Sequence, residues 1–132
     1  MVETAVVLPV FFMVVLGIIE FGRAFMVAQL LNNAAREGTR VAIMAGSTNT
    51  EVDTAVRSFA ASAIGVDPAS LAVSIDVTAA TGNPDPNDDV SLANKRDLVE
   101  IQVSVAFTDV NYLPSEYLDS VNLVGQSAMR HE

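Results

Sequence analysis

Residues 4–19, TAVVLPVFFMVVLGII, form an uncharged and almost wholly apolar run. A helix that crosses a bilayer needs about 20 such residues, so this run is slightly short alone. It resumes after EFGR as AFMVAQLLNNAA, again uncharged. A helical pattern persists to about residue 45, just before the breaker-rich Gly46-Ser47-Thr48-Asn49. A helix of about 45 residues would be about 68 Å long, more than twice the thickness of a bilayer core. Its second half must lie outside the hydrocarbon or against protein. The residues ahead of the run, Met1-Val2-Glu3, are acidic rather than basic, and no A-x-A site follows. That is not the pattern of a cleaved secretory signal.

The helix carries details that a plain anchor does not need. Pro9 lacks a donor and crowds the preceding turn, so a kink or a melted turn is expected there. Gly17 and Gly22 let another backbone come close. Glu20 and Arg23 stand three apart, the spacing of a pair on one face. Ionisable residues inside an apolar stretch usually mark a function or a specific protein contact; the alternative is that they sit at the interfacial edge of a short span. Beyond them the pattern turns amphipathic. Val27, Leu30, Ala34, Gly38, Val41 and Ala45 fall on one stripe, and Gln29, Asn33, Arg36 and Arg40 on the other. The first stripe is expected to pack on the rest of the chain, closely at Ala34 and Gly38.

The charge divides the chain at the same place. In residues 1–46, Glu3, Glu20 and Glu37 balance Arg23, Arg36 and Arg40. The entire net charge of −9 falls in residues 47–132. The expected organisation is a membrane or filament-core helix over 1–46 and an acidic α+β head over 47–132. Such a head is repelled by phosphate backbones, which argues against nucleic acid as a partner. The chain has no cysteine, which excludes disulfides and thiolate metal sites.

Within the head, Thr50-Glu51-Val52-Asp53 reads as a capped helix start. Val52, Ala55, Val56, Phe59, Ala60 and Ala63 make an apolar stripe that Gly65 ends, predicting a helix over 51–64. Leu71, Val73, Ile75 and Val77 alternate with small or polar residues, as do Val99, Ile101, Val103, Val105 and Phe107. Both segments predict half-buried strands. A third strand is expected over 121–129, weakened by Gly125, and a short turn of helix near Pro114 in YLPSEYLDS. Together these give an antiparallel sheet of roughly three strands, wet on one face and covered by helix on the other.

Few residues suggest chemistry. Asp85, Asn87, Asp88 and Asp89 offer oxygen ligands for calcium. They lack the spacing, central glycine and final glutamate of an EF-hand loop. Pro84 and Pro86 make the segment 79–96 read as an exposed turn, and no metal is expected. His131 is the only histidine and stands next to the end, a poor place for a catalytic base. The sequence has no H-E-x-x-H, phosphate-cradling glycine loop or G-x-S-x-G, so no enzyme activity and no cofactor are expected.

Three segments carry a family resemblance: VETAVVLPVFFMVVLGIIEFGRAF (residues 2–25), NAAREGTRVAI (33–43) and AMRHE (128–132). A hydrophobic run followed by EFGR and then AAREGTR resembles the TadE-like pseudopilins, or minor pilins, of tight-adherence pili, which are related to type IV pili. The head between 47 and 127 carries no matching motif. The resemblance implies a prepilin-like protein that starts in the cytoplasmic membrane, is trimmed by a prepilin peptidase, and passes through an assembly platform. It then enters a cell-surface filament with copies of itself or sister pilins. It also implies a leader ending in glycine, which this sequence does not show, as expected of a mature chain or one lacking its start. An acidic residue near the mature terminus neutralises a neighbour's terminal amine in such filaments, and Glu3 takes that place. Thr4 stands where the pattern has an aromatic. Glu3, Pro9, Gly17, Glu20, Gly22 and Arg23 are thus the residues expected to serve assembly. The competing expectation is a membrane-anchored binding module at the cell surface that does not polymerise.

Overall fold

A computed structural model of the chain describes residues 1–110 and 121–131. It is an α+β protein: a helix about 62 Å long, α1 (Val2–Ala42), carries a head of one further helix, α2 (Asn49–Ile64), and three strands. These are β1 (Ala72–Thr78), β2 (Leu98–Ala106) and β3 (Asn122–Arg130), in the order β1-β2-β3 with both pairings antiparallel. The long helix, the head helix and the three-stranded antiparallel sheet follow the expected plan. The turn read at Pro114 lies outside the described residues.

α1 is helical from end to end, with Pro9 inside it and no melted turn there. Proline so near a helix start removes one hydrogen bond and leaves the rest of the ladder to hold the geometry. The helix ends at Ala42, three residues before the expected end. Met44 N–H donates to Val41 O and the Ser47 hydroxyl donates to the same carbonyl at 2.7 Å. These bonds tighten and terminate the last turn, which leaves Ala45 exposed beyond it.

α2 begins two residues earlier than its reading. Its N-cap is Thr48, whose hydroxyl accepts from Glu51 N–H while the Glu51 carboxylate accepts from Thr48 N–H. The reciprocal box is a Thr-x-x-Glu pattern visible in the sequence but displaced from the one selected. Gly65 ends the helix with φ of 83°, as a left-handed stop. The buried face is Val52, Val56, Ala60 and Ile64, whereas Phe59 and Ala63 are exposed. Residues four apart drift across a helix face, so the true stripe runs one step to the side of the expected one.

Val99, Ile101, Val103 and Val105 in β2 are buried, and Phe107 follows them into the core from a 3₁₀ turn, Phe107–Asp109. β2 is the central strand, so its inner side chains meet strands on both sides and helices above. β1 is an edge strand, and there only Val77 is fully buried while Val73 and Ile75 are half-covered. The opposite face of the sheet, Asp76, Glu100, Gln102 and Gln126 among others, is exposed. β3 starts and ends one residue later than expected, and its Gly125 lies in the buried row opposite Val103.

Candidate functional site

α1 divides into two parts by what covers it. From Glu20 onward one stripe is buried against the head: Glu20, Ala24, Val27, Leu31, Ala34, Ala35, Gly38, Thr39 and Ala42. Of the expected packing residues, Val27, Ala34 and Gly38 are buried, and Leu30 and Val41 are half-buried at the margin. The stripe centre is therefore Leu31, Ala35 and Ala42 rather than Leu30, Val41 and Ala45. Leu30 and Leu31 are adjacent and equally apolar, so spacing alone did not separate them. The sequence signal available was the run of small residues at 34, 35, 38 and 42. The expected wet residues Gln29, Asn33, Arg36 and Arg40 are exposed.

The closeness of this joint has a backbone cause. A methyl group on Gly125 would sit 2.2 Å from the Leu31 carbonyl carbon and 2.4 Å from Asn32 N. β3 thus lies directly on the main chain of α1, and only a residue without a side chain permits it. Beside the crossing, Asn32 Oδ1 accepts from Gln126 N–H at 3.0 Å, and Thr39 and Ser127 hydroxyls meet at 3.2 Å. On the other side, a methyl on Gly38 would fall 2.3 Å from Val56 Cγ2. The glycine that weakened the third strand in the sequence is the one that docks it.

Glu20 and Arg23 belong to this joint. Glu20 is 4% exposed. The Arg23 guanidinium donates to Val110 O at 2.8 Å and to Ile64 O at 3.2 Å. Ile64 closes α2, so the cation sits at the negative end of that helix. The lower end of the head is thereby clasped to α1.

The first part of α1 is bare. Its best 18-residue window has a mean hydropathy of 2.5 and no buried residue. The helix is long and apolar enough to cross a membrane, and the lack of burial separates it from the core helix of a compact domain. Glu3 stands exposed in its first turn, where the helix dipole favours an anion. Gly17 and Gly22 project toward open space: a methyl at either would meet nothing within 4 Å. Residues 2–19 extend about 27 Å beyond the head at ~1.5 Å per residue, close to the ~30 Å of a hydrocarbon core.

The segment 79–96 has its own internal order. Asp85 accepts from Asn87 N–H, Asp88 from Val77 N–H, and Asp89 from both N–H and hydroxyl of Ser91. The Ser91 hydroxyl, then its amide, hold the Asp89 carboxyl below its ordinary range. Asn87 and Asp88 are left-handed, with φ of 52° and 58°. Asp85, Asp88 and Asp89 thus cap backbone amides, and among the described residues no three acidic or imidazole groups gather into a metal cluster. Asp97, which sequence reading missed, closes the segment. Its buried carboxylate accepts from Ala80 N–H, Asn83 Nδ2 and Asn94 N–H, and these donors, Ala80 foremost, hold it below the usual carboxylate range. His131 is held rather than frayed, since its N–H donates to Asp97 O and its carbonyl accepts from Arg96 N–H.

A bare apolar helix, long enough to cross a bilayer and welded at its far half to a small acidic head, is the build of a pilin-like, membrane-anchored subunit. Residues 1–40 match the TadE-like protein family, so the resemblance read from the sequence holds over α1. No curated relative and no solved structure matches the chain.

Proposed function

We propose that this chain is a structural filament subunit of the tight-adherence pilus type, major or minor, and not an enzyme. It waits in the membrane with residues 2–19 in lipid. It then leaves for an extracellular filament in which copies or sister pilins cover the same surface. The carrying observation is the bare apolar half of α1, rigidly continuous with a half that is already committed to the head. Twelve large apolar side chains stand uncovered there. At ~1.5–3 kcal/mol each, covering them is worth on the order of 20–40 kcal/mol. Lipid or neighbouring helices can supply that cover, and water cannot.

The family match over residues 1–40 supports this reading, as do two uncovered glycines, Gly17 on the bare part and Gly22 on the outward side just beyond it. Glu3, buried among neighbours in a filament, would need a positive partner, and a neighbour's terminal ammonium is available for it. Maturation by a prepilin peptidase and passage through an assembly platform belong to the same proposal.

The length of the bare segment equally suits a second reading, a plain anchor that displays the head as a binding module. Glu3→Ala separates the two. In a filament subunit, membrane insertion is unchanged and the yield of surface filaments collapses. Normal filament yield from that variant would count against the first reading, and cryo-EM of purified filaments shows directly whether the chain lies within them.

A further inference from the structure

The head has four cations, Arg57, Lys95, Arg96 and Arg130, against 13 acids; residues 111–120 and 132 add no lysine or arginine. Arg57 is engaged with Asp53 at 2.8 Å and with the carbonyls of Pro68 and Leu71. The other three lie together at one corner. Arg96 and Arg130 line one groove of about 250 Å³ with Thr78, Ala80 and Leu98, and the Arg130 guanidinium reaches toward Arg96 O. Lys95 precedes Arg96, and all three are exposed. None of them forms an ion pair with a described residue. The corner is at the end of the head remote from the bare helix. β3 passes Leu31 at Gly125 and Thr39 at Ser127, so it ascends with α1 and ends at Arg130.

The opposite end is acidic. Asp67 and Asp109 are exposed and flank the two carbonyls that Arg23 holds, Ile64 and Val110. Neither forms an ion pair with a described residue. One strand of nine residues separates the two ends, about 30 Å, so the two charges cannot meet within one chain.

We propose that the Lys95–Arg96–Arg130 corner receives the acidic Asp67–Asp109 end of a second copy of this chain, joining heads end to end along the long axis. The inference rests on the filament reading and names a contact within it. A surface that meets a different surface on the next copy does not close, and repetition yields a fibre. In a head of strongly negative charge, most approaches between copies are repulsive, and the approach that brings this corner to the acidic end is the attractive one. Charge of this kind selects register and orientation more than it adds affinity.

The cysteine-free background makes the contact directly testable in the full-length chain. Arg130→Cys with Asp109→Cys, in cells assembling filaments under oxidising conditions, is expected to give a ladder of disulfide-linked multimers. Each single variant should give none. Disulfides need Cα atoms within about 7 Å, so the ladder cannot arise inside one chain. Separately, Arg96→Glu with Arg130→Glu should lower the assembled fraction about tenfold or more, an interaction change of ~1.4 kcal/mol or more. Adding Asp67→Lys and Asp109→Lys to that chain should restore it, because the charges are exchanged. Rescue excludes a free anion or an anionic polymer as the occupant, since neither would follow the exchange. Filaments that form without a ladder, or a charge reversal that the exchange does not rescue, would overturn the end-to-end contact and leave the filament reading standing. A parent chain that assembles no filament at all would remove both.

Discussion

Gly125→Ala tests the docking of head on helix most sharply. The added methyl carbon would stand 2.2 Å from the Leu31 carbonyl carbon, 2.4 Å from Asn32 N and 2.6 Å from Leu31 Cβ. Ordinary contact begins near 3.4 Å, so more than an ångström must be found. Two of the obstructing atoms are main chain in the middle of α1 and cannot rotate aside. Relief has to come from lifting β3, which also strains the Asn32–Gln126 and Thr39–Ser127 hydrogen bonds. Overpacking a close contact costs ~1–3 kcal/mol and each weakened bond adds up to ~1 kcal/mol, so we expect about 3–4 kcal/mol. For a head of this size that corresponds to a melting midpoint lower by roughly 15 °C or more. The assay is hydrogen exchange and thermal unfolding of the full-length protein in detergent, read on β2 and β3, because α1 stays helical in the micelle. Gly17→Ala and Gly22→Ala are the controls. Their methyls meet nothing in the same chain, and the better helix propensity of alanine gives up to ~1 kcal/mol in favour of α1. A Gly125→Ala head that melts within about 2 °C of the parent, well under 1 kcal/mol, would refute the close-crossing argument.

Other consequences follow from the same joint and from the ordered segment above it. Arg23→Met removes two charge-assisted bonds to carbonyls; a loss of ~1.5–3 kcal/mol per such bond in the buried limit, discounted for its partial exposure, should appear as faster amide exchange near Ile64 and Val110. Thr48→Ala breaks the capping box and should destabilise the head by about 1 kcal/mol, read as a shifted urea midpoint with an unchanged slope. The Asp97 carboxyl titrates lower folded than unfolded. Its contribution is therefore present above the ordinary carboxylate pKa and is lost as pH falls through the lower folded value. An acid titration of the melting midpoint should fall in that window, and Asp97→Asn should lower the midpoint at neutral pH while flattening the acid limb.

Much of this architecture was legible in the chain because it rests on local pattern. The uncharged run of residues 4–19, alternation along Val99–Ile101–Val103–Val105, and Gly65 as a stop each carry their own physical reason. Those reasons do not depend on distant residues. Where two local patterns competed, the reading slipped by one or two residues, as at Thr48 against Thr50 for the cap and Leu31 against Leu30 for the stripe.

The sequence alone determined that the N-terminal third had to be covered by something other than water, and that an acidic head would follow it, since hydropathy and charge are properties of residues. Only the tertiary structure decided which part of α1 is already covered. It placed Glu20 and Arg23 in the joint with the head, and turned Gly125 from a weak point in a strand into the place where two backbones meet. It brought Arg130 beside Lys95 and Arg96 at one corner and tied Asp97 across the segment beneath it. Such outcomes depend on which distant surfaces come within a few ångströms, and periodicity along a chain does not encode that distance.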